Sequence, residues 1–154
     1  MVKNKQITTN FSLKEYLEGT AMPKAAIAMN YEYFDEAMMP KIEELLKELQ
    51  DLRDITKFKF GSKFKGFRIT AGLRTREWDI SKKRSGNSMH TKYMAVDFQP
   101  ICNKNDYMEI FNFVFNTYNP TWAGGFAKKE PNLKKRKKGF IHLDTRRQKV
   151  RWVY

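Results

Sequence analysis

The stretch Ser88-Met89-His90-Thr91-Lys92-Tyr93-Met94-Ala95-Val96-Asp97 contains the features that decide the fold. Its last residues, together with Phe98, form a short apolar run that predicts a buried strand, and Asp97 interrupts that run. A lone carboxylate is costly to bury. Something must therefore compensate the charge of Asp97, and a metal ion is one candidate.

The chain has two histidines, and each lies near an acid. His90 precedes Asp97, and His142 lies in the stretch FIHLD, residues 140–144. Two imidazoles and one carboxylate, with a fourth position left to water, are typical protein ligands of a catalytic zinc ion. The alternative is two ordinary histidines and an acid bonded to backbone amides. Spacing alone does not choose between the two.

Outward from this stretch, the sequence predicts helices first and then strands with one helix between them. Ser12 and Glu15 fit a capping box, so a short helix should run to about Glu18. Leucines at helical spacing after Pro40 predict a second helix that ends near Asp54. The other expectations are strands at 67–71 and 95–98, an irregular segment at 75–89, a helix from Asn105 or Asp106 to about Tyr118, and short strands around Trp122, at 140–143 and at 150–153. This order indicates an α+β domain with a small antiparallel sheet and flanking helices.

Composition bounds the class of protein. The 154 residues fit one domain, 1–154, and a hydrophobic fraction of 41% with 14% aromatics excludes a disordered chain. No apolar run approaches the roughly 20 residues of a membrane span, and no signal-peptide core follows the basic start. The single cysteine, Cys102, excludes an internal disulfide framework. We therefore expect a monomer that is made in the cytoplasm.

The net charge of +13 predicts attraction to polyanions. Nucleic acid, anionic cell-wall polymers and anionic membrane surfaces all qualify. The densest run of charge is Lys134-Lys135-Arg136-Lys137-Lys138, which is either a solvated loop or a polyanion-binding patch. No helix-based or base-stacking nucleic-acid motif accompanies it, so we expect no specific nucleic-acid partner.

The deciding stretch resembles the Ser-x-His-x-x-Gly-x-Ala-x-Asp motif of the M15-type zinc peptidases. This family includes D-Ala-D-Ala carboxypeptidases and phage endolysins of the hedgehog/DD-peptidase fold. Four further stretches resemble the family in the same order along nearly the whole chain: FSLKEYL at 11–17, ITAGLRT at 69–75, WAGG at 122–125, and FIHLD at 140–144 followed by Arg151-Trp152.

The resemblance implies a role for each matching residue. His90, Asp97 and His142 would be the ligands of a Zn²⁺ ion. Arg74 would lie near the metal and bind substrate. Ser88 would also bind substrate, and it would shape the loop around His90.

The chain departs from the family motif at two positions. Tyr93 replaces the motif glycine, so we expect a differently built turn after His90. Many members carry an acid as general base three residues before the second histidine, and that position is Gly139 here.

Asp144 is the acid that offers an alternative to the missing base. It lies two residues after His142, on the same face if the segment is a strand. It could transfer a proton or support His142, or it could simply bond backbone or Arg146. Glu77 and Glu130 are weaker candidates.

The resemblance implies a zinc peptidase that hydrolyses amide bonds in peptidoglycan stem peptides or cross-links, typical of a phage or prophage lysis enzyme. Such an enzyme would act at the cell wall or in the periplasm, where its basic surface would hold it on an anionic wall or membrane. The alternatives are a basic nucleic-acid-binding protein and a wall-binding module that keeps the fold without turnover.

Overall fold

Five helices and five strands make up the computed structural model of the protein, which describes residues 2–154. The helices are α1 (Leu13–Leu17), α2 (Lys24–Tyr33), α3 (Met39–Phe60), α4 (Arg76–Ser81) and α5 (Tyr107–Tyr118). The strands are β1 (Phe64–Ala71), β2 (Ala95–Cys102), β3 (Gly125–Lys129), β4 (Phe140–Asp144) and β5 (Val150–Val153). The α+β class predicted from the sequence is confirmed.

The strands form one mixed sheet in the order β1-β2-β4-β3-β5. The three pairings from β1 to β3 are antiparallel, but β3 and β5 run parallel. The expectation of a purely antiparallel sheet is therefore wrong at this edge. The reason is the connection after β4: the chain reverses direction and passes β3, which lies between β4 and β5. A strand antiparallel to β4 must then be parallel to β3.

The two faces of the sheet differ in chemistry because side chains alternate along each strand. One face packs against α3 and α5 and is wholly apolar near the centre, where Val96, Phe98, Ile141 and Leu143 are buried. The intervening residues of the same strands, Asp97 and His142, therefore point to the opposite face. The core thus fixes which side of the sheet carries the polar residues.

The helix boundaries follow local signals with two omissions. The capping box of Ser12 and Glu15 is confirmed at the start of α1. Helix α3 continues past Asp54 to Phe60, because its buried stripe continues to Thr56 and the chain turns only at Gly61, whose φ is +57°. Helices α2 and α4 were not predicted from the sequence, and α4 lies within the segment 75–89 that was expected to be irregular.

The strand predictions hold for four of the five strands, although β1 begins three residues before the predicted start and β2 continues four residues past the predicted end. Strand β3 begins at Gly125 and not around Trp122.

No helix among residues 2–154 has the length and apolar character that crossing a bilayer requires.

A buried asparagine joins the helical layer to the end of β1. Asn30 on α2 is fully buried, and its Nδ2 donates to the carbonyl oxygens of Leu17 and Leu73, both at 2.8 Å. These bonds connect the end of α1 to the segment that follows β1. Gly72 in that segment lies so close to α1 that an added Cβ would stand 2.2 Å from the Tyr16 carbonyl oxygen.

We expect Asn30→Ala to destabilise the fold by about 1–3 kcal/mol, because two buried carbonyl groups lose their donor. Urea unfolding followed by circular dichroism measures the change in the free energy of unfolding. The control is Asn105→Ala, at an exposed position, which should change it by less than about 0.5 kcal/mol. Equal effects of the two substitutions would contradict the structural role of Asn30.

Candidate metal centre

The sheet register brings two of the predicted ligands side by side. Asp97 on β2 is paired with His142 on β4, so their side chains project next to each other from the polar face. His90 comes from a 3₁₀ turn, Met89–Lys92, that precedes β2. Ser88 caps this turn by accepting a hydrogen bond from the His90 backbone N–H at 3.1 Å.

The side chains of His90 and His142 converge on the Asp97 carboxylate. The Oδ1 atom of Asp97 lies 2.8 Å from His142 Nδ1 and 3.4 Å from His90 Nε2. One ligand atom from each residue falls within 4.8 Å of the others, and all three residues are buried. Zinc–ligand bonds of about 2.0–2.1 Å imply ligand separations of about 3.4 Å in a tetrahedral site. The separation of Asp97 Oδ1 from His90 Nε2 matches this value, and the 2.8 Å hydrogen bond between Asp97 and His142 must lengthen when an ion binds.

The second nitrogen of each imidazole has its own partner. His90 Nδ1 is 2.8 Å from the Gly72 carbonyl oxygen, which leaves Nε2 to face Asp97. His142 Nε2 is 2.8 Å from Asp144 Oδ2, which leaves Nδ1 to face Asp97. Outer partners of this kind fix the ring orientation and tautomer of metal-ligating histidines. The group can hold a metal ion, and its donor set suits zinc as well as other transition metals.

The electrostatics of the group favour positive charge on the His142 imidazole. Burial acts to raise the pKa of Asp97, but the two neighbouring imidazoles hold the pKa well below its ordinary value. Burial acts to lower the pKa of His142, but its hydrogen bonds to Asp144 and Asp97 outweigh that effect and raise the pKa to about 9. Two ionised carboxylates thus flank the imidazole and stabilise its protonated form, and a metal ion that binds at His142 Nδ1 must displace that proton.

Asp144 lies behind His142 and is completely buried. Its carboxylate accepts from Arg146 at Nε (2.8 Å) and Nη2 (2.6 Å), and from the Gly125 backbone N–H at 2.8 Å. Despite its burial, the bonds from His142 and Arg146 lower the pKa of Asp144 below its ordinary value. This carboxylate does not line the cavity, so its geometry favours support of His142 over direct proton transfer.

Arg74 reaches the site in an ion-paired form. It follows β1, and its Nη2 donates to Ser88 Oγ at 3.2 Å while its Nε lies 2.5 Å from Asp79 Oδ1. Arg84 contacts the same Asp79 oxygen at 3.3 Å. Asp79 was not predicted to be a site residue, because the segment 75–89 was expected to be irregular. Thr75 followed by acidic residues is a helix-start signal that could have placed Asp79 on α4.

A cavity of about 410 Å³ lies in front of the metal group. The three proposed ligands line this cavity. Its other walls include cationic and aromatic side chains, which are Arg74, Arg84, Arg146, Phe140, Trp152 and Tyr154. Trp152 stands 4.9 Å from the His142 ring, and the Arg146 guanidinium lies 5.4 Å from the Trp152 ring. Such walls suit a ligand that carries carboxylates and some apolar surface.

The two departures from the motif have structural explanations. Tyr93 adopts the left-handed conformation that favours glycine, with φ of +61°, and the differently built turn after His90 stays a prediction. Its buried hydroxyl accepts from the Asp35 N–H at 3.0 Å, which holds the residue in place. Gly139 also has a positive φ, and a Cβ there would stand 2.1 Å from the Lys129 carbonyl oxygen. No acid fits at position 139 without a shift of the backbone.

Glu77 and Glu130 lie outside the cavity. Glu77 is exposed on the first turn of α4, and Glu130 is exposed and ion-paired with Lys128. Among the residues that line the cavity, Asp97 has the one acidic side chain.

Comparison with protein-family models, curated proteins and solved structures finds no match for this chain in any of the three. The M15-type resemblance therefore rests on the sequence motifs alone.

We expect the purified protein to bind about one Zn²⁺ per chain through His90, Asp97 and His142. His90→Ala and His142→Ala should each abolish most of the binding, since two remaining ligands are a poor zinc site. Inductively coupled plasma mass spectrometry after zinc loading and dialysis measures the metal content. Asp54→Asn, at an exposed acid on α3, should keep full occupancy. A folded wild type that stays metal-free would contradict the prediction.

Proposed function

We propose that the protein is a zinc-dependent peptidase that hydrolyses amide bonds in peptidoglycan stem peptides or cross-links. The observation that carries the proposal is the buried His90–Asp97–His142 group at the base of a cavity with arginines on its walls. The motif resemblance points to the same chemistry independently of the geometry. A zinc ion in such a site polarises an amide carbonyl and activates a water molecule for attack on it.

The chain's own residues would bind and orient the peptide. Arg74, Arg84 and Arg146 line the cavity, and stem peptides carry free carboxylates that guanidinium groups bind through charged hydrogen bonds. Arg146 already donates from Nε and Nη2 to Asp144, so Arg74 and Arg84 are the residues that would bind such a carboxylate. Ser88 and Asp79 hold Arg74 from two sides and so restrict its orientation. Trp152 provides a flat apolar wall beside the His142 ring.

Asp144 would act through His142. Its hydrogen bond to Nε2 keeps the imidazole turned toward Asp97, and Arg146 holds Asp144 in turn.

The small size of the domain, its basic surface and the resemblance together suggest a phage or prophage lysis enzyme that works at an anionic cell wall or membrane.

One observation favours a second candidate, a wall-binding module without turnover. The lining residues include no acidic side chain apart from the proposed ligand Asp97, so they lack a Glu or Asp that could act as general base. Digestion of purified muropeptides, followed by mass spectrometry of the products, separates the two candidates. New amine and carboxyl ends in the zinc-loaded wild type support the peptidase; intact muropeptides that nevertheless bind support the module. Binding to nucleic acid with neither result would support a nucleic-acid-binding protein.

We expect Arg74→Ala to lower kcat/KM on muropeptides by about tenfold or more, because a charged hydrogen-bond donor to the substrate is lost. Zinc content should stay normal, since Arg74 is not a ligand. Arg147→Ala, at the exposed residue next to Arg146, is the matched control and should retain activity. An unchanged kcat/KM for Arg74→Ala would remove this residue from the substrate site.

We expect Asp144→Asn to weaken zinc affinity by about 10- to 100-fold, because His142 loses a charged hydrogen-bond partner. Competition with a chromogenic chelator measures the affinity, and activity is assayed at saturating zinc. A fall in turnover of about 100- to 10,000-fold with unchanged zinc affinity would instead assign proton transfer to Asp144.

A further inference from the structure

One end of the sheet collects a large share of the positive charge. The pairings of Phe64 with Cys102 and of Phe140 with Lys129 show that β1 and β4 begin where β2 and β3 end. Helix α3 also finishes at this end, because only the short turn 61–63 separates it from β1. We define the basic end as residues 57–65, 101–104 and 128–138. Its exposed cations are Lys57, Lys59, Lys63, Lys65, Lys104, Lys129, Lys134, Lys135, Arg136, Lys137 and Lys138.

The acids near the basic end are few and partly engaged. Glu130 is ion-paired with Lys128. Asp54, one turn before Phe58 on α3, accepts from Gln50 Nε2 at 2.9 Å. Asp106 follows Lys104 in the turn before α5. The surface therefore keeps a strong positive excess.

A large apolar side chain stands within this charge. Phe58 lies in the last turn of α3 with 95% of its surface exposed, and Lys57 and Lys59 flank it. Ile55, three residues earlier on the same helix face, is 42% exposed. An aromatic side chain exposed to this extent is unfavourable in water, and it contributes nothing to the core on the other face of the helix.

We propose that the basic end docks on the surface of a bilayer that contains anionic phospholipids, with Phe58 inserted at the headgroup boundary. Lysines attract the anionic lipid surface, and an aromatic or aliphatic side chain among them enters the boundary between headgroups and acyl chains. A soluble polyanion such as a phosphate polymer would account for the lysines. It offers no apolar layer for Phe58, so the combination favours a bilayer.

The width of this end suits an extended partner surface. Five strands spaced by about 4.8 Å span about 19 Å, and the end of α3 and the loop 131–138 lie beside them. Phe140, at the start of β4, belongs to this end of the sheet and also lines the cavity. Docking would therefore hold the cavity close to the membrane plane. This inference refines the anionic-surface part of the proposed function, and it does not depend on zinc or on peptidase activity.

The test is co-sedimentation with vesicles of phosphatidylcholine, alone or with about one-third phosphatidylglycerol. We expect the wild type to bind the anionic vesicles and to be released as salt rises from about 0.1 M to 1 M, where the Debye length falls to about 3 Å. Phe58→Ser should lower the partition coefficient on the order of tenfold, as expected from loss of one buried aromatic side chain. Lys59→Gln should lower it about fivefold.

Matched controls separate the basic end from exposure and charge in general. Ile80→Ser removes an apolar side chain that is 52% exposed on α4, and Lys41→Gln removes an exposed lysine at the other end of α3; both should bind as the wild type does. Phe58→Ser should keep its affinity for soluble polyphosphate. His90→Ala should keep its affinity for the vesicles, so that failure of the metal site leaves this test intact.

Three results would overturn the proposal. The first is equal binding of the wild type to neutral and anionic vesicles. The second is equal loss in Phe58→Ser and Ile80→Ser, with both variants folded by circular dichroism. The third is an equal loss of vesicle and polyphosphate binding in Phe58→Ser, which would identify a polymer site.

Discussion

The pairing of Asp97 with His142 across two adjacent strands is the constraint on which the rest of the site depends. A carboxylate inside a sheet is tolerated only if its charge is met, and here two imidazoles meet it from different elements. The register between β2 and β4 sets the first contact, and the capped turn at Met89–Lys92 sets the second. A slip of one residue in the register would send Asp97 into the apolar core and Val96 into the cavity.

The outer contacts extend this constraint to the rest of the molecule. Asp144 and Arg146 hold His142 from the end of β4, and the Gly125 backbone closes the gap so tightly that a Cβ would stand 2.1 Å from the Asp144 carboxylate. Trp122 adds a hydrogen bond from its Nε1 to the Asp144 carbonyl oxygen at 2.9 Å. The glycine pair in the stretch WAGG thus has a packing reason, because β3 must approach the end of β4 closely.

The sequence was most informative where the pattern is local. The capping box at Ser12, the apolar run around Asp97 and the helix that ends at Tyr118 depend on neighbours in the chain, and each was found at or near its predicted place. The three proposed ligands were also singled out from the sequence, and the structure brings them together. The parallel pairing of β5 and the ion pair of Arg74 with Asp79 depend on how distant segments meet, so local patterns could not reveal them. Helix α2 lacks a side-chain cap, which removed the usual signal for its start.

The position of Gly72 links the N-terminal part of the chain to the polar face of the sheet. Its carbonyl orients His90, while its missing side chain makes room for Tyr16 of α1. Any ion that binds the folded site and not the unfolded chain must raise the stability of the fold by mass action. Because Gly72 contacts both His90 and helix α1, part of that added stability should extend to α1. Amide hydrogen exchange in the first helix would then slow when the ion binds, which makes this short helix a reporter of occupancy.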